Sequence, residues 1–173
     1  GPEWEQLNFG ILPAAYDDGI DIYGRERPDY FSDVRMRRAF AQCIDRQKIV
    51  DEIFGGLAEV PLGFFPQGHP LYTQDLNIPA FSLAEANATL DELGWKDEDN
   101  DAATPRVARG VPNVPDGQPL QINYLTTPGG RSESAGLAVA VSLAQCGVKL
   151  VVQPVDAQVL YGAGPDGLLF GRQ

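Results

Sequence analysis

Apolar residues recur at helical spacing in two adjacent stretches near the start of the chain. Met36, Ala39, Phe40, Cys43 and Ile44 fall three and four positions apart, which predicts a helix with one buried stripe. Ser32 or Asp33 can cap it, setting an oxygen against unpaired amide hydrogens while an acid favours the positive end of the helix dipole. Asp45 restarts the pattern as a second cap, and Ile49, Val50, Ile53 and Phe54 form the inward side of a following helix. Gly55 and Gly56 stop it, because glycine enters the left-handed region at low steric cost. Ser82-Leu83-Ala84-Glu85 has the form of a capping box, and Leu83, Ala86, Leu90 and Leu93 continue as a helical stripe up to Gly94.

The period then changes. From Pro119 to Leu125 the residues Leu120, Ile122 and Tyr124 alternate with Gln121 and Asn123, as in a strand with one buried face. Ser132 to Cys146 reads as a helix with Leu137, Val141 and Ala144 on its apolar side, closed by Gly147. Val148 to Val155 is a second strand, rich in β-branched residues. Strand, helix and strand in this order make a βαβ unit, with parallel strands and a right-handed crossover. The fold class that follows is α/β.

The remaining stretches lack either period. Glu3 to Ile11 suits a short strand, and Leu12 to Tyr30 a surface connection broken by Pro13, Gly19, Gly24 and Pro28. Leu57 to Pro79 carries Pro61, Pro66, Pro70 and Pro79 among Phe64, Phe65, His69 and Tyr72, which predicts an extended loop packed by its own aromatics. Lys96 to Gln118 is polar and reads as loop. Asp156 to Gln173 has glycines and a proline punctuating Leu168-Leu169-Phe170.

At 173 residues and 43% hydrophobic content the chain can bury its own core, so one domain is the natural expectation. The net charge of −11 repels a phosphate backbone and excludes a nucleic-acid footprint. No window approaches the roughly 18 continuous apolar residues that span a bilayer. No basic-then-apolar leader precedes the first folded segment, which points to a piece of a longer precursor, and Gly1-Pro2 reads as either a cleavage scar or native sequence. Cys43 and Cys146 each sit on an apolar stretch of a predicted helix. Burial as small hydrophobes is the favoured reading, and a disulfide stays open because two cysteines alone do not establish a pair.

Candidate chemistry is sparse. The loop Thr126 to Ser132 joins the carboxyl end of a strand to a helix start, the edge of an α/β fold where ligands gather. Thr126, Thr127, Arg131 and Ser132 are therefore the candidate ligand contacts, for a polar or anionic group. The plainer alternative is an ordinary βα turn with helix capping. No Gly-Lys-Ser/Thr ending marks a nucleotide loop. Asp97 to Asp101 resembles the start of a calcium loop, but Ala102 replaces the turn glycine and Ala108 stands where the bidentate acid belongs, so a solvated acidic loop is the better reading. His69 is the single histidine and lies among prolines with no nucleophile signature nearby. The acid pairs Asp17-Asp18 and Asp91-Glu92 do not imply the spacing of glycoside chemistry. Arg37 and Arg46 are read as helix-bound structural cations, and Trp4, Phe9, Trp95 and Tyr124 as core. No catalytic constellation, metal site or cofactor site is expected.

Several motifs in order nevertheless resemble a known family. Met36-Arg37-Arg38-Ala39, Cys43-Ile44-Asp45-Arg46 and the hydrophobic run Ile49 to Gly56 match its V-R-x-A, A-I-D-R and glycine-closed run. The helix ending at Gly94-Trp95 looks like its A-x-x-L-L-x-x-x-G-W element, with Thr89 and Leu90 at the paired leucines. The family is that of the extracytoplasmic solute-binding proteins of peptide-type ABC transporters, family 5. The resemblance implies a periplasmic-binding-protein-like type II fold, of which residues 1–173 would be a single partial domain, most of the C-terminal lobe. It implies no enzyme, but a two-lobed trap for peptides, sugars, metal chelates or opines that delivers them to a membrane permease outside the cytoplasm. The other lobe and the family's final strand with its G-W-x-x-D-like loop are not in this sequence, so the isolated lobe is expected to show no measurable, or only millimolar, peptide affinity. Readings from other classes are an α/β interaction domain with an acidic face and an α/β enzyme of unidentified chemistry.

Overall fold

A computed structural model describes residues 6–9, 30–74, 76–101, 103–112 and 114–162. Of the strand expected at Glu3 to Ile11 the described part is 6–9, which is neither helix nor strand. Trp4, Asp17, Asp18, most of the connection from Leu12 to Tyr30, and the stretch from 163 onward lie outside the described residues.

Helices α1 (Val34–Cys43) and α2 (Arg46–Phe54) form where the periodicity places them. Of the two candidate caps, Asp33 serves α1 and accepts the Arg35 N–H at 2.8 Å; the neighbouring Arg35 guanidinium also holds its carboxyl below the usual carboxylate range. Asp45 accepts the Lys48 N–H at 3.0 Å, and α2 ends on Gly55 at φ 58°. Helix α3 (Leu83–Glu92) starts at Ser82, whose hydroxyl accepts the Glu85 N–H, and it packs on α1 through Ala86 and Leu90. The Ser82 N–H donates to the Gln42 carbonyl at 2.9 Å, which fixes where α3 meets the end of α1.

The stretch from Lys96 to Gln118, expected as loop, contains a short antiparallel pair. Strand β1 (Trp95–Lys96) faces β2 (Val107–Ala108), with Trp95 opposite Ala108 and Lys96 opposite Val107. Two-residue strands are too short to show a period of two. They form because Trp95 and Ala108 are both buried and the backbone beside them must find partners, as when the Arg109 N–H donates to the Gly94 carbonyl at 2.7 Å.

Next comes the expected βαβ unit: β3 (Gln121–Thr126), α4 (Gly130–Ala144) and β4 (Lys149–Pro154). Strands β3 and β4 pair in parallel, from Gln121 opposite Lys149 to Thr126 opposite Pro154. One more turn, α5 (Ala157–Leu160), is capped by Asp156 in a segment the sequence leaves irregular.

The buried side of α4 differs from the one expected. Leu137 is 53% and Val141 66% exposed, whereas Ala135, Gly136, Ser142 and Leu143 are buried. The helix carries two apolar sides, and the one with small residues meets the sheet because it permits closer approach. At Gly136 a Cβ would lie 2.7 Å from Cε1 of Tyr124, well inside contact distance.

The core is one cluster in which Met36, Phe40, Leu90, Trp95, Leu120, Leu143 and Val148 are almost fully buried. Phe31 meets Phe40 edge to face at 5.2 Å. Cys43 and Cys146 are buried, as expected, but they are not free thiols. They form a disulfide, with Cα atoms 6.2 Å apart, because the carboxyl ends of α1 and α4 converge there. At the same junction the buried Ser142 hydroxyl donates to the Cys43 carbonyl and accepts the Asp45 N–H, both at 2.9 Å. Ser142→Ala orphans both groups at once. It is expected to lower stability by about 1–3 kcal/mol in urea unfolding with an unchanged slope.

Candidate functional site

An open cavity of about 650 Å³ lies where four segments meet. Ile44, Ile49, Val50 and Phe54 come from the α1–α2 pair, so the apolar stripe of α2 is shared between packing and cavity wall. The proline-rich loop contributes Val60, Leu62, Phe65 and Tyr72 as the facing wall. Tyr124 of β3 with Ala135 and Val139 of α4 makes the floor, and Leu7 and Phe9 close one end. The proline-rich loop packs by its aromatics as its composition predicts. Phe65 stacks on His69 at 4.4 Å and 12°, and Phe64 meets Phe65 edge to face at 5.4 Å. His69 Nδ1 accepts the Leu71 N–H at 3.1 Å, so its role in the loop is structural.

The four candidate contacts are gathered at the carboxyl end of β3 and the first turn of α4. Thr126 ends β3 and is buried; its carbonyl accepts the Val155 N–H at 2.7 Å. Thr127 is half-buried in the turn, Arg131 is exposed, and Ser132 is half-buried beside it. None of the four lines the cavity. Arg131 reaches its rim, with the guanidinium carbon 5.9 Å from the centre of the Phe54 ring. The Gly129 N–H donates to the Glu133 carboxylate, so this helix start is capped by an acid of its own helix and not left open for an anion.

The other residues singled out in the sequence have structural roles. Arg37 donates to the Phe31 and Ser32 carbonyls, and Arg46 to the Pro79 carbonyl, which ties the loop back onto α2. In the acidic loop, Asp97 accepts the Asn100 N–H at 2.8 Å and Asp101 the Ala103 N–H at 2.9 Å. Asp99 accepts the Thr104 hydroxyl, which lowers its carboxyl pKa. These carboxylates bond their own turn. Among the described residues no group of three or more His, Cys, Asp or Glu is placed to hold a metal ion.

Sequence reasoning missed Arg106, which is 5% exposed. Its guanidinium donates to the carbonyls of Cys146 at 2.9 Å and Trp95 at 2.8 Å, to Asp91 at 2.8 Å and to Asn87 at 3.0 Å. It therefore joins α3, β1 and the end of α4. A polar residue in an aperiodic stretch gives no signal, although a basic residue flanked by Pro105 and the apolar Val107 marks a position worth testing.

The chain matches the family model described as bacterial extracellular solute-binding proteins, family 5 Middle, over residues 14–167. It is 28% identical to the oligopeptide-binding protein AppA of Bacillus subtilis (strain 168) over 159 residues, 88% of this chain and 27% of AppA. In structure it resembles AppA of Bacillus subtilis in complex with a nonapeptide, at TM-score 0.65 and 23% identity, over 76% of this chain and 25% of that one. NikA from Brucella suis in complex with Fe(III)-EDTA is as similar, at TM-score 0.65 and 23% identity over 75% and 24%. MelB from Agrobacterium fabrum C58 in complex with stachyose follows at TM-score 0.62 and 22% identity over 76% and 20%. The shared architecture is the periplasmic-binding-protein-like type II fold, and the chain spans about a quarter of the length of AppA and NikA. With its motif order, its parallel βαβ unit and a family model covering most of its length in agreement, this chain belongs to the family 5 bacterial extracellular solute-binding proteins.

Proposed function

We propose that this chain is most of the C-terminal lobe of a two-lobed substrate-binding protein that serves an ABC importer of peptides or related small solutes. The lobe works outside the cytoplasm and presents its half of a cleft to the solute; the closed protein then delivers the solute to a membrane permease. The observation that carries this reading is the open cavity floored by Tyr124 and Val139, next to the carboxyl end of β3 in a fold of this family. Thr126, Thr127, Arg131 and Ser132 are proposed as contacts at the cavity's outer edge, with Arg131 nearest to it. The buried disulfide supports an oxidising, extracytoplasmic compartment. Binding requires no cofactor.

One jaw buries a ligand from one side only, so the isolated chain is expected to bind weakly. Saturation-transfer NMR with short peptides, an oligosaccharide and a metal chelate should give dissociation constants in the millimolar range for at least one class. Tight one-to-one binding by this lobe alone overturns the reading.

A further inference from the structure

We infer that the Cys43–Cys146 bridge is installed by a disulfide donor that acts on the unfolded chain outside the cytoplasm, and that a chain which folds first shuts its thiols away from that donor. Cys43 is 0% and Cys146 1% exposed, so neither a protein nor a small disulfide reaches their sulfurs in the fold. A cysteine enclosed in this way is inert to exchange. The junction also closes through contacts that involve no sulfur. The Ser142 hydroxyl joins the Cys43 carbonyl to the Asp45 N–H, Arg106 holds the Cys146 carbonyl at 2.9 Å, and Leu143 and Val148 on either side of Cys146 lie in the same core as Phe40. The reduced chain makes all of these contacts, so folding encloses the thiols whether or not they have been joined.

The chemistry is thiol–disulfide exchange in two steps. One cysteine thiolate attacks a sulfur of the donor, forming a mixed disulfide and expelling the donor's other sulfur as a thiolate. The second cysteine thiolate then attacks the chain's own sulfur, which closes the Cys43–Cys146 bond and expels the remaining donor sulfur. Together the two cysteine thiols lose two electrons and two protons, and the donor disulfide takes up both pairs. Cys43 precedes Cys146 by 103 residues, so in a chain that emerges from its amino end Cys43 meets the donor first. The second step has to be complete as the ends of α1 and α4 come together, because a donor still attached to the fully enclosed Cys43 has no room there. The sequence holds two cysteines, so one pairing is possible within this chain and no isomerisation step is required.

Order of addition tests this on the whole chain. Protein reduced in concentrated urea is diluted to refold, and oxidised glutathione or an oxidised thioredoxin-fold protein is added either at dilution or after the circular dichroism signal has levelled. Remaining thiols are alkylated and the bridged fraction is read by mass. For at least one donor, early addition should give a bridging rate roughly tenfold or more above that of late addition, and mild urea should speed the late reaction because it goes through opening of the fold. Bridging by glutathione assigns the role to a small disulfide; bridging by the protein donor alone assigns it to an oxidoreductase. Ser142→Ala removes two bonds across the junction and should speed the late reaction by roughly fivefold or more. Late addition as fast as early, whether the thiols stay open to the donor or the reduced chain does not refold, overturns the inference. So does a late rate that Ser142→Ala leaves unchanged, or an absence of early bridging with both donors. The readout is the state of two thiols, so none of these results bears on solute binding.

Discussion

Replacing both half-cystines, as Cys43→Ala with Cys146→Ala, should lower the stability of this chain by about 3–5 kcal/mol. The bridge closes a loop of 103 residues, so the unfolded chain without it gains much of the entropy of a free polymer. For a domain of this size such a loss is a fall of roughly 10 °C or more in melting temperature. Both sulfurs are buried, so intact protein should resist mild reductant, and the difference should appear when unfolding is followed with and without strong reductant. The Ser142 bonds across the same junction keep the ends of α1 and α4 together in the variant, so its folded structure should be little changed. Equal melting temperatures for the native and doubly substituted chains would show that the bridge adds no stability to the junction.

Arg106→Met should cost about 3–4 kcal/mol. The methionine fills part of the volume but leaves the buried carbonyls of Trp95 and Cys146 without their donor, at about 1–3 kcal/mol each. Asp91 suffers less, because its side chain is 50% exposed and water can replace the guanidinium. Arg106→Lys should fall between, since one ammonium cannot reproduce a planar fork directed at four acceptors. The approach is close enough that a Cβ at Gly147, which has φ 66°, would lie 2.8 Å from Cγ of Arg106. Gly147 therefore meets two demands, a left-handed turn after α4 and room for the arginine stem. Urea unfolding with an unchanged slope measures both Arg106 variants; a loss below 1 kcal/mol for Arg106→Met would mean that water reaches those carbonyls.

Local signals were the legible ones. Asp33, Asp45 and Ser82 cap helices because the chemistry of a cap lies within three residues of sequence, and the βαβ unit is announced by a switch of period from two to helical and back. The position of the candidate loop Thr126 to Ser132 at the end of β3 follows from that order alone. What stayed hidden depends on partners distant in sequence. The cavity is assembled from segments as far apart as Phe9 and Val139. Burial of Tyr124 against α4 depends on Gly136, whose missing side chain adds nothing to a hydrophobic pattern, and so the exposed Leu137 and Val141 were the residues that stood out. Arg106 and the Cys43–Cys146 bridge belong to the same class, since neither has a partner closer than 11 residues away.

The proposed solute-binding role is tested most directly by where a solute touches this chain. Amide-resolved nitrogen–proton correlation spectra of the native chain, recorded as the tripeptide Leu-Phe-Leu is added to millimolar concentration, locate that surface. Shifts are expected on α2, on the loop from Leu57 to Tyr72, and along β3 and the first turns of α4. Shifts confined to α3, β1 and β2, with the cavity amides unmoved, would contradict it.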